Sequence, residues 1–87
     1  MTPSGRVVSA TIERMRAIPQ NVSYSDMYRL CVQLFGAPRQ SGGSHAVFAT
    51  PWAGDPQVNI QDDHGKAKAY QVRQVLAAID RLREDGA

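Results

Sequence analysis

The side chains best suited to chemistry in this sequence lie between residues 39 and 68: His45, the amides Asn59 and Gln61, and the cations Arg39, Lys66 and Lys68. Imidazoles titrate near a pH of about 6.5, so one can accept or donate a proton under neutral conditions. Amides offer donors and acceptors without charge, and lysine and arginine neutralise phosphates. The run His64-Gly65-Lys66, followed by Lys68, stands before a predicted helix whose first backbone N–H groups and positive dipole end suit a phosphate. The chemistry these residues share is proton transfer beside a polyanion. Asp62-Asp63-His64 suggests a metal, but adjacent residues point different ways and no second cluster completes a shell, so no metal and no cofactor is expected. His64 itself reads as an exposed, idle imidazole in a loop.

These residues need elements to hold them. Val8, Ile12, Met15 and Ile18 recur at helical spacing and predict a leading helix over 6–18, closed by Pro19. Ser23 with Asp26 three residues on forms a capping-box pair, and Val22 and Met27 are spaced for a hydrophobic staple. A helix over 24–35 follows, with Met27, Leu30, Cys31 and Leu34 as its buried stripe and Gly36 as its stop. From residue 37 to 61 the helical period disappears. The turn Ser41-Gly42-Gly43-Ser44 separates a short strand through Arg39-Gln40 from a second strand over 45–50, and a third strand is expected over 57–61. Trp52 lies in the loop between the last two. Residues 62–66 read as another loop. A last helix is predicted over 69–83, with Val72, Val75, Leu76, Ile79 and Leu82 inward and Gly86 just past its end. The period-two pattern puts Phe48, Val58 and Ile60 on one face of the sheet and His45, Asn59 and Gln61 on the other. The expected fold class is therefore α+β: a three-stranded antiparallel sheet with helices on one face.

Composition bounds the rest. An 87-residue chain that is 43% hydrophobic, with a net charge of +2, is long enough for one core and too apolar for disorder. No run of about 18 apolar residues exists to cross a membrane. The opening residues lead into Glu13, Arg14 and Arg16 rather than an apolar segment, so no secretory signal is expected. A single cysteine, Cys31, makes no internal disulfide, which points to a reducing, cytoplasmic setting.

The run Gly42-Gly43-Ser44-His45-Ala46-Val47-Phe48 resembles the glycine–serine–histidine motif of HicA toxins, the small ribonucleases of HicA–HicB toxin–antitoxin pairs. The segment Asn59-Ile60-Gln61, with Gly65 through Val75 (GKAKAYQVRQV), is similar to a second signature of one HicA branch. The resemblance runs from Pro19 to Leu82, with departures at Ala46, where members often carry a second histidine, and Ala69, where many have proline. It implies a single HicA-like domain over 1–87, with a core over 22–83 similar to the double-stranded-RNA-binding domain and the leading helix as an addition. It also implies an endoribonuclease that cleaves mRNA without a metal, with His45 as the general acid or base. Arg39, Lys66, Lys68, Asn59 and Gln61 are then the candidates for RNA contact. The implied partner is a HicB-like antitoxin, through which alone the toxin would assemble into larger complexes. The rival expectation is a non-catalytic RNA-binding or protein-interaction module of the same fold, which would favour a denser lysine cluster than Lys66 and Lys68 supply.

Overall fold

A computed structural model of the chain describes the backbone of residues 5–54 and 56–85, and side chains over 8–54 and 56–84. Gly86, expected to stop the last helix, lies outside the described residues. Three helices and a four-stranded antiparallel sheet make up the architecture, so the class is α+β. Helix α1 spans Gly5–Ala17 and buries Ile12 and Met15. Ile18 was expected to continue that face but is 48% exposed. Pro19 begins a single 3-10 turn, Pro19–Asn21, and the chain leaves helical torsions at Ile18 (φ −138°), which turns its side chain out of the stripe.

Helix α2 spans Tyr24–Phe35 as the spacing predicts. Ser23 Oγ accepts the Asp26 N–H (3.1 Å), and Val22 and Met27 are both buried, as a staple requires. The Asp26 carboxylate faces Arg14 (3.5 Å) and Arg29 (3.8 Å). Gly36, at φ +87°, ends the helix with its N–H on the Val32 carbonyl (2.9 Å).

The sheet has one strand more than expected. β1 (Gln40–Gly42), β2 (His45–Ala49), β3 (Gln57–Asp63) and β4 (Lys66–Ala67) lie side by side in chain order. The region read as a loop over 62–66 is instead the end of β3, a two-residue turn and β4, with Asp63 paired to Lys66. His64 (φ +55°) and Gly65 (φ +89°) are both left-handed, which is the backbone of a type I′ turn. Asp62 stabilises it by accepting the Gly65 N–H on Oδ1 (2.7 Å). The other tight turn is also shorter than the sequence suggests: Gly42 already pairs with His45, leaving Gly43-Ser44 as the loop. β4 is held from its far side by the entrance to α2. Ala67 N–H donates to the Val22 carbonyl (2.8 Å), and Tyr24 N–H donates to the Gly65 carbonyl (3.0 Å).

Helix α3 spans Ala69–Asp85 and buries Val72, Val75, Leu76 and Ile79, while Leu82 is only half-buried. Ala46, Phe48, Val58 and Ile60 from one sheet face join these residues and those of α1 and α2 in a single core. The leading helix is thus part of the core and not an appendage to it. Phe48 is fully buried and meets the Tyr28 ring edge-on, with centroids 5.7 Å apart. Burying such a side chain stabilises the fold by about 1.5–3 kcal/mol.

Candidate active site on the outer sheet face

The register assembles the site. His45 stands opposite Gln61, and Val47 opposite Asn59, with the core residues Ala46 and Phe48 alternating between them. His45, Asn59 and Gln61 therefore share the outer face, as the period-two pattern predicts. Asp62 N–H donates to the Ser44 carbonyl (2.7 Å), which makes Ser44 and Asp62 a hydrogen-bonded pair. Such pairs alternate along an antiparallel ladder, so His45 and Gln61 form a non-hydrogen-bonded pair, with Cα atoms about 4.5 Å apart and side chains at their closest. His45 is exposed. Val47 shares this outer face yet is only 8% exposed, and it belongs to no part of the main core.

Gln61 is half-buried and is held from the start of α3. Its Oε1 accepts from Gln71 Nε2 (3.2 Å) and from the Tyr70 hydroxyl (3.4 Å), and Gln71 Nε2 also reaches the Tyr70 oxygen (3.3 Å). Gln71 is 3% exposed, and its own Oε1 is buried with no hydrogen-bond partner. An unpartnered buried carbonyl costs about 1–3 kcal/mol. Tyr70 is 53% exposed, with its hydroxyl engaged by Gln61 and Gln71. A glutamine inside the last helix suggests no role by its type alone. Its signal was present nonetheless, since Gln71, Val75 and Ala78 follow helical spacing and form one buried line with a polar member.

The cations divide. Lys66, in β4, donates through Nζ to Asn21 Oδ1 (2.9 Å) and so is tied to the turn before α2. Lys68 is half-buried at the entrance to α3, where its carbonyl accepts the N–H groups of Gln71 and Val72 (both 3.0 Å). Arg39 is exposed at the opposite edge, just before β1, and its N–H donates to the Val47 carbonyl (2.7 Å). His45, Asn59, Gln61 and Lys66 thus lie along β2–β4 with Lys68 just past β4, and Arg39 lies at the start of the β1 edge, beside Val47 of β2.

His64 stands at the tip of the second hairpin, its side chain 98% exposed and its Nδ1 2.8 Å from Asp63 Oδ1. Among the described residues no three His, Cys, Asp or Glu side chains come together as a metal-binding group. Burial pushes the Cys31 thiol up to about 12, so it stays protonated and inert in the core. Burial, with Tyr28, Asp62 and Cys31 nearby, also raises the Tyr24 phenol. Arg16, hydrogen-bonded at 2.6 Å, holds the exposed Asp80 carboxyl below its usual range and links α1 to α3. No described helix is long and apolar enough to cross a membrane.

Compared with protein-family models, with curated proteins and with solved structures, the chain shows no match.

Proposed function

We propose that this protein is a HicA-like toxin: an endoribonuclease that cuts single-stranded mRNA without a metal ion, using His45 to move the proton. The observation that carries the reading is the exposed imidazole of His45 beside Gln61 on the outer face of β2–β3, directly after the Gly43-Ser44 turn. The resemblance of the two motifs supplies the reaction.

In that reaction the ribose 2′-hydroxyl loses its proton to the imidazole and its oxygen attacks the adjacent phosphorus. The bond from phosphorus to the 5′ oxygen breaks, and that oxygen takes a proton from solvent water, giving a 2′,3′-cyclic phosphate and a 5′-hydroxyl. A neutral imidazole nitrogen with a free lone pair can take the first of these protons. Negative charge grows on the phosphoryl oxygens meanwhile and needs donors fixed beside them. A flexible single strand can adopt the in-line geometry that a duplex resists. The order of one helix, an antiparallel sheet and a final helix also supports a core of the double-stranded-RNA-binding type, with α1 added and β4 as a short extra strand.

A non-cleaving duplex binder would present a dense basic surface at the start of the last helix. Here Lys66 is engaged with Asn21 and Lys68 is half-buried, which favours the catalytic reading. The partner in this proposal is a HicB-like antitoxin in the cytoplasm that covers the outer face and occludes His45. The test is cleavage of single-stranded RNA by purified protein in excess chelator, with His45→Ala alongside. Cleavage by the wild type and none by the variant is expected. Loss of wild-type cleavage in chelator, or full activity in His45→Ala, overturns the proposal.

A further inference from the structure

A surface glutamine normally rotates freely, and this one does not. Gln61 Oε1 is committed to two donors, Gln71 Nε2 and the Tyr70 hydroxyl, both at the start of α3. That start follows directly from β4, so it lies on the side of β3 away from β2. With the oxygen engaged from that side, the amide nitrogen is the end left without a partner, and His45 is the residue across the ladder on the other side. Gln61 Nε2 has no partner among the described residues, and it is not among the buried unpartnered atoms, so it reaches solvent. The buried amide of Gln71 meanwhile leaves its own oxygen unsatisfied while its nitrogen holds Gln61. The interior gives up a hydrogen bond, and a surface amide gains a fixed direction.

We infer that Gln61 Nε2 donates to a non-bridging oxygen of the phosphate that is cut beside His45, and that Gln71 is the positioning residue that sets the direction of this donor. The inference rests on the ribonuclease reading and deepens it. As the 2′ oxygen attacks, charge accumulates on the phosphoryl oxygens, and a donor already in place is worth about 100-fold in rate. An amide carries no titratable proton in the working range, so its contribution does not change with pH. It also takes the part for which a lysine would be expected, and Lys66 is tied to Asn21.

Two substitutions test the claim. Gln61→Glu keeps an oxygen for Tyr70 and Gln71 to donate to, and replaces only the outward N–H groups, with an anionic oxygen. Gln71→Leu fills a similar space and removes the internal donor. Cleavage of a single-stranded RNA oligonucleotide is followed in excess chelator as kcat and KM across pH, with thermal unfolding in parallel. Gln61→Glu is expected to lose about 100-fold or more in kcat without a lower unfolding temperature. Gln71→Leu is expected to lose about tenfold in kcat with KM within about threefold and the shape of the pH profile retained. Should Gln71→Leu fail to fold, Tyr70→Phe, at a half-exposed position, tests the same restraint with an expected loss of about threefold. Wild-type kcat in Gln61→Glu overturns the donor, and wild-type kcat in a folded Gln71→Leu (or, failing that, in Tyr70→Phe) overturns the positioning role. If wild-type protein cuts and these variants cut equally well, the inference fails alone. If wild-type protein does not cut, the ribonuclease reading has failed first.

Discussion

The two tight hairpins at one end of the sheet each present a histidine, and they hold it in opposite ways. In the first, the turn is Gly43-Ser44 and the histidine is the next residue, already inside β2. His45 pairs with Gly42 on one side and Gln61 on the other, so two neighbouring strands set its backbone. In the second, His64 is the turn itself, at φ +55°, with its side chain almost wholly in solvent and only Asp63 beside it. An imidazole one residue past a bend inherits the rigidity of the sheet, whereas one at the apex inherits only the torsions of the bend. The same side chain is thus poised for different work a few residues apart in register.

That contrast breaks first on activity. His45→Ala should lower RNA cleavage by at least about 100-fold, while His64→Ala leaves the rate unchanged. Cleavage assays of the two purified variants decide it, and equal losses would dissolve the distinction. Backbone changes sharpen it next. Gly43 (φ +59°) and Gly65 (φ +89°) both have open space where a Cβ would sit, so alanine at either meets torsional cost alone, about 1–2 kcal/mol by chemical denaturation. The two should diverge in function: Gly43→Ala lowers kcat as well because it shifts the entry to His45, and Gly65→Ala lowers stability only. A smaller effect is expected from His64→Asn, which makes the second turn Asn-Gly and should raise stability by about 0.5 kcal/mol or less. The smallest is a null result. With the Cys31 thiol buried and its pKa pushed up to about 12, iodoacetamide at pH 8 should leave cleavage intact in the folded protein; inactivation would show that the thiol is reachable and matters to cleavage.

Much of the architecture can be read from local signals, and the misses have physical causes. α2 matches its expected ends because a cap, a staple and a left-handed glycine all mark them. Ile18 obeys the helical period of α1, but Pro19 acts one residue earlier on the backbone and turns it outward. The end of β3 and all of β4 are hidden because Asp62 and Asp63 are poor strand formers by type, and because a turn of His64-Gly65 lacks the Asn-Gly or Asp-Gly signal of a tight hairpin. Contacts distant in sequence favour them there: Asp62 N–H on Ser44, and β4 against Val22. The outer-face trio of His45, Asn59 and Gln61 follows from alternation alone. The Tyr70–Gln71 restraint on Gln61 does not, since it depends on where α3 begins beside β3. Lys66 likewise carries no hint in the sequence that Asn21, 45 residues away, takes its ammonium group.

The seam between β4 and the entrance of α2 has a consequence for how the molecule is made. Helix α2 has every local reason to form early, yet the backbone groups of Val22 and Tyr24 wait for Gly65 and Ala67, which the ribosome supplies some forty residues later. A nascent chain released before that point should retain a helix with a loose doorway, and the doorway closes only when the second hairpin arrives to latch it.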